Sequence, residues 1–115
     1  MIKKVYRLKE KEVKKVLQKG KPFFSYNIVS NTIPNTLWFN RFAIIIWWKS
    51  VKNNVTRVFF RRLFYKLMDE KCVSFEWGKD IIFVIKKSLK LDKTNLEIIE
   101  TFKKDINFLV YKNNI

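Results

Sequence analysis

Phe42-Ala43-Ile44-Ile45-Ile46-Trp47-Trp48 is apolar without a break, and this run restricts the fold more than any other segment. A stretch with no polar position has no face to give to water, so packing must cover it on every side. A membrane-spanning helix needs roughly 20 such residues, far more than the run supplies. Its β-branched and aromatic content reads as a strand covered on both faces, the apolar end of a strand over residues 37–49. Such a strand calls for a sheet with other elements packed on it.

The rest of the chain supplies those elements. Residues 8–19 read as a helix: Val13, Val16 and Leu17 share one stripe, and Gly20 followed by Pro22 ends it. Residues 22–33, rich in aromatic, β-branched and small polar residues, read as one strand, with a turn at Pro34-Asn35. Asn53 or Asn54 can cap a helix running to about Asp69. Residues 72–77 alternate as a short strand, Gly78-Lys79 turns, and residues 80–85 form an apolar strand. Thr94 with Glu97 makes a capping box, after which Leu96, Ile99, Phe102, Ile106 and Leu109 form a helical stripe to about Tyr111. The order α-β-β-α-β-α gives an α+β fold, helices on a small mixed sheet. Without repeats or linkers, residues 1–115 read as a single domain.

Charge narrows the function. Against 10 acids stand 25 Lys and Arg, a formal +15, in a chain whose 48% hydrophobic content is too apolar for a disordered tail. Self-repulsion on a small sphere is relieved by a polyanion: nucleic acid first, an anionic membrane surface second. The N-terminus has no signal-peptide apolar segment. The single Cys72 rules out an intrachain disulfide and points to a reducing, cytoplasmic setting, with the thiol itself read as a small core residue.

The missing residues matter as much. With no histidine, one cysteine and two glycines, the chain cannot build a His-activated nucleophile, a His- or Cys-based zinc site or a Gly-rich phosphate loop. No catalytic residue, bound cofactor or metal ligand is expected. If the protein takes part in catalysis, another molecule performs the chemistry.

The middle helix carries the functional signal. At about 100° per residue, Phe59, Phe60, Leu63, Phe64 and Leu67 share an arc that should face the sheet. Asn54, Arg61, Arg62 and Tyr65 group opposite, with Arg57 at the margin. Arg57 and Arg61 are helical neighbours of like charge, and no acid lies within helical reach of Arg57. Phosphates would supply the counter-charge, since the guanidinium fork matches their oxygens. Lys49 and Lys52 just ahead extend the basic region. Among aromatics, Phe23, Phe24, Tyr26, Trp38 and Trp47 are candidate base-stacking residues within a positive groove, although core packing is the commoner role of each. Strand alternation sends Trp47 and Trp48 to opposite faces.

These residues bear a family likeness. Arg41-Phe42-Ala43-Ile44-Ile45-Ile46 followed by Lys49, Arg57 and Arg61-Arg62 resembles the signature region of the bacterial ribonuclease P protein subunit. There an R-F/L-A/G apolar strand leads to a Lys-Lys element and a helix with an R-N-R-x-K/R-R motif. Arg7-Leu8, the helix ending at Lys19-Gly20-Lys21, the strand opening at Asp80 and the closing helix follow the family's order. Val58 and Phe59 stand where the motif has Asn and Arg, Ser50 stands for the second Lys, and Val13 and Leu17 occupy first-helix positions often held by Phe.

The resemblance implies a protein cofactor for a catalytic RNA that, with bound magnesium, removes the 5′ leader of precursor tRNA. It implies as partners the ribonuclease P RNA and precursor tRNA, whose single-stranded leader lies in a cleft between the first helix and the sheet. No membrane and no protein partner are implied. It also implies a left-handed crossover around the middle helix, against the usual hand. The RNA-contacting residues expected are Arg41, Lys49, Lys52, Arg57, Arg61, Arg62 and Tyr65. A ribosomal or other structural RNA-binding protein fits the charge equally well, and a cationic membrane-surface module is the reading from another class.

Overall fold

A computed structural model describes residues 4–47, 50–51, 53–72, 78–86, 89–113 and 115. In chain order the elements are α1 (Glu10–Lys19), β1 (Lys21–Phe24), β2 (Ile28–Pro34), β3 (Arg41–Ile45), α2 (Asn54–Met68), β4 (Lys79–Ile85) and α3 (Leu96–Lys112), with short 3-10 turns at Lys4–Tyr6 and Asp69–Lys71. The sheet runs β1-β2-β4-β3. Neighbours are antiparallel except β3 and β4, which are parallel and joined through α2. Such a βαβ connection is what a parallel pair requires, because a tight turn cannot reverse the chain twice. The fold is the expected α+β arrangement of helices on a small mixed sheet.

Alternation along the strands divides the sheet into two apolar faces. On one side Ile28, Phe42, Ile44, Ile81, Phe83 and Ile85 meet Phe60, Phe64 and Met68 of α2 and Phe102, Ile106 and Leu109 of α3. On the other, Ala43 and Ile82 meet Val16 of α1, with Val13, Ile33, Ile45 and Val84 partly buried around them. The apolar run of β3 is therefore covered on both faces, as its composition requires. The run does not stay extended, however: β3 stops at Ile45, so alternation cannot place Trp47, and Trp48 lies outside the described residues.

Strand and helix boundaries depart from the sequence pattern at several points. Residues 22–33 are not one strand but a hairpin that reverses at Ser25-Tyr26-Asn27. The Ser25 hydroxyl donates to the Ile28 carbonyl (2.9 Å) and accepts from the Ile28 N–H (3.2 Å), closing the turn. The strand over residues 37–49 keeps only its centre, Arg41–Ile45. Thr94 does not cap α3. Asn95 does, its side chain accepting from Glu97 N (3.0 Å), while Asp92 holds the Thr94 N–H and hydroxyl. Leu96 is consequently exposed, and the buried stripe of α3 begins a turn later. The short strand expected at residues 72–77 falls, beyond Cys72, outside the described residues.

Gly78 shows why β4 starts where it does. Its N–H donates to Leu37 O (2.8 Å) and its carbonyl accepts from Asn35 N (3.0 Å). A Cβ there would sit 2.0 Å from the Phe39 carbonyl oxygen. Only glycine lets the two loops approach this closely.

Candidate nucleic-acid interface

The segment ahead of α1 sets one wall of the site. Leu8 N donates to Phe42 O (2.9 Å), and Arg7 pairs with Phe42 as a parallel bridge, so this segment lies along β3. Arg7 is thereby brought beside α2, its guanidinium 5.7 Å from the centre of the Tyr65 ring, a cation–π arrangement. Arg7, Lys9, Arg61 and Tyr65 line one cleft with Leu8, Val13 and residues 43–45 of β3. Nothing in the helical periodicity marks Arg7, because a long-range strand contact puts it there.

Asn53 starts α2 by accepting from Thr56 N (2.9 Å). Packing α2 between α3 and the N-terminal segment splits its cations. Arg61 and Arg62 are both exposed, and among the described residues neither is paired with a carboxylate. Arg61 opens on the cleft with Arg7 and Lys9. Arg62 opens on the opposite flank with Lys66 and Lys93. Arg57 is half-buried and its Nε has no partner among the described residues. Lys49 and Lys52 lie outside the described residues.

Two expected contact residues are placed differently. Tyr65 does not stand on an open cationic face: it is 7% exposed and packs in the main core beside Phe64 (ring centres 5.1 Å apart). Burial raises its phenol pKa above the ordinary value, while the nearby Arg61 and Arg7 charges pull the other way. The wheel misplaced Tyr65 because α2 is covered on more than one side. Arg41 is held internally. Its Nε and Nη2 donate to Asp80 Oδ1 and Oδ2 at 2.8 and 2.7 Å, and Nη1 donates to Glu12 Oε2. The hydrogen bond to Asp80 is the main reason its pKa is raised, against the opposing effect of burial. An arginine so engaged ties α1, β3 and β4 together and has little left to offer phosphate.

Beside α1, one end of the sheet is left partly open. Phe24 pairs with Val29, Val29 with Val84, and Val84 with Ile45, forming a cross-strand apolar row on the α1 side. Phe24, at 64% exposure, ends this row, and Leu17 of α1 is also exposed. Of the other aromatics named from sequence, Tyr26 at the hairpin tip, Trp38 and Trp47 are exposed. Phe23 instead packs against the main core.

Among the described residues no group of three or more Cys, Asp or Glu is assembled that could hold a metal ion, and no helix is long and apolar enough to cross a membrane. Among the described residues, the two flanks of α2 display cations, aromatics and aliphatics, suited to gripping an anionic polymer.

Known proteins agree with this arrangement. The model of the Ribonuclease P family matches residues 2–109. The solved Staphylococcus aureus RNase P protein is similar in structure, with a TM-score of 0.66 and 24% identity over 90% of this chain and 94% of that one. A mutant of that protein, described as defective in mRNA degradation activity, gives a TM-score of 0.65 at 24% identity, covering 92% and 89%. At such identity the two structures speak for the fold, and no curated protein is matched. Since the family match spans nearly the whole described fold, the chain belongs to the ribonuclease P protein family and is a protein subunit of that tRNA-processing ribonucleoprotein, working with its RNA.

Proposed function

We propose that this subunit grips ribonuclease P RNA through the two flanks of α2 and steadies the 5′ leader of precursor tRNA against the open end of the sheet beside α1. The observation that carries the reading is the pair Arg61 and Arg62, exposed on a helix without a single acid. Their charge is left for phosphate. Arg7 and Lys9 extend the Arg61 side, and Lys49 and Lys52, just ahead of α2 in sequence, add to its positive charge. The leader, a single strand, suits a platform on which an exposed aromatic offers a stacking face; the exposure of Phe24 at the end of the row Val29–Val84–Ile45 supports that role for it.

In this reading the whole chain is one RNA-binding domain acting in the cytoplasm. Its residues bind and orient RNA and transfer no proton. The magnesium that serves phosphodiester hydrolysis is, in this reading, held by the RNA; among the described residues no group of acids is gathered that could hold it. By covering leader phosphates with cations, the protein lowers the magnesium needed to bring RNA and substrate together.

Reconstitution tests the proposal. Added to a bacterial ribonuclease P RNA at low magnesium, the protein should restore cleavage of precursor tRNA at the mature 5′ end, and the protein freed of RNA should leave the substrate intact. Affinity for the RNA should fall steeply as salt rises. A flat salt response, or cleavage no better than with RNA alone, would overturn it.

A further inference from the structure

The flank of α2 that carries Arg62 holds more than charge. Val55, Val58, Phe59, Arg62, Leu63 and Lys66 recur at helical spacing along one side of α2 and line a recess of about 590 Å³. Apart from Leu63, which also packs against the main core, this seam is distinct from the Phe60–Phe64 stripe that enters it. One exposed aliphatic residue needs no explanation, but Val58 at 43% exposure stands between exposed Val55 and Phe59 on the same recess. The Phe59 ring is set edge-on against Phe60, centres 5.1 Å apart, so its position is fixed from beneath.

We propose that this recess receives one unpaired nucleobase of RNA, its face on Val58, Phe59 and Leu63, with the adjoining phosphates on Arg62, Lys66 and Lys93. The inference rests on the RNA-binding reading above and gives the second flank of α2 its ligand. Charge selects an anion, since the described residues lining the recess include three cations and no acid. Size selects a nucleotide over a protein. The volume falls in the range of small-ligand sites, roughly 300–1,000 Å³. The lining from Asn54 to Lys66 spans only about 18 Å of helix, short of what an interface of about 800 Å² per partner needs. A base has flat apolar faces for the floor and polar edges that Asn54, donor and acceptor at once, can meet.

Binding to a bacterial ribonuclease P RNA, titrated at several salt concentrations, tests it. Base docking is not a charge contact, so Phe59→Ala and Val58→Ser should each weaken binding roughly tenfold while leaving the slope of log affinity against log salt unchanged. Arg62→Gln should weaken binding and lower that slope by about one. Thermal melts accompany each variant. Val58→Ser removes a side chain already open to solvent, so it keeps the test valid if Phe59→Ala proves unstable. Parent-like affinity in folded Val58→Ser or Phe59→Ala protein would overturn the nucleobase site while leaving the RNA reading standing. Failure of the parent itself to bind the RNA would overturn the RNA reading.

Discussion

Replacing Arg41 by methionine separates a structural arginine from an RNA-binding one. Methionine keeps much of the apolar stem and removes the guanidinium. The loss is two hydrogen bonds to Asp80, at 2.8 and 2.7 Å, and one to Glu12. A hydrogen bond to a charged group contributes about 1.5–3 kcal/mol net, but these three share one side chain and do not simply add. Asp80 also keeps a bond from Asn35 Nδ2 at 2.8 Å, so its carboxylate is not wholly orphaned. The side chains of Arg41 and Asp80 are 20% and 10% exposed, and water screens part of the pair. The expected loss is therefore about 2–3 kcal/mol, a fall in melting temperature of roughly 8–12 °C for a domain of this size. Differential scanning calorimetry measures it. Combined with Asp80→Asn, the double variant should lose less than the sum of the singles, because both remove the same contact. RNA affinity of the folded Arg41→Met protein should stay within about threefold of the parent, well inside the 1.4 kcal/mol that a tenfold change represents. A variant that melts like the parent yet loses RNA binding would refute the assignment and return Arg41 to the interface.

Other perturbations read different parts of the molecule. Phe60, fully buried against Phe102 with ring centres 5.1 Å apart, should cost about 3–5 kcal/mol as Phe60→Ala, and half-buried Leu63 clearly less, by chemical denaturation. Arg61→Ala and Arg62→Ala should leave the melt nearly unchanged and cost roughly 1–3 kcal/mol of RNA affinity each, measured by filter binding. The Cys72 thiol, pushed up to about 11 by burial first and Asp69 second, should react slowly with a disulfide reagent at pH 8 and at full rate once denaturant unfolds the chain. Gly78→Ala should destabilise markedly by thermal melt, because its Cβ would collide with the Phe39 backbone.

Sequence periodicity located most elements because each is decided locally. Val13 and Val16 on α1, Phe60 and Phe64 on α2, and Phe102, Ile106 and Leu109 on α3 occupy their expected inward faces. The failures are where a contact between distant segments decides. The β1–β2 reversal at Ser25-Tyr26-Asn27 carries no Gly or Pro, and Lys86 Nζ, from beyond β4, reaches the Ser25 and Tyr26 carbonyls at 3.2 Å. Arg41 could not be recognised as internal without knowing that Asp80 and Glu12 converge on it. Its engagement follows from the pairing of Arg41 with Asp80 in the β3–β4 register, which no local pattern announces.

Contacts between distant segments also make a helical wheel a poor guide to the cations of α2. A wheel assumes one buried face and one wet face. Here α3 and the sheet take one side, and the N-terminal segment lies close enough to put Arg7 on the Tyr65 ring. That leaves two separate open strips instead of one broad face. Arg61 and Arg62, adjacent in sequence and 100° apart on the helix, therefore fall on different strips, one with Arg7 and Lys9 and the other with Lys66 and Lys93. Arg57, at the wheel's margin, ends half-buried instead. A helix that presents cations on two flanks can lie between two stretches of phosphate backbone, whereas one broad face could dock on only one. The uncovered seam at Val58 and Phe59 then sets the flanks apart chemically: a cleft of charge around Tyr65 on one side, an apolar recess rimmed by charge on the other.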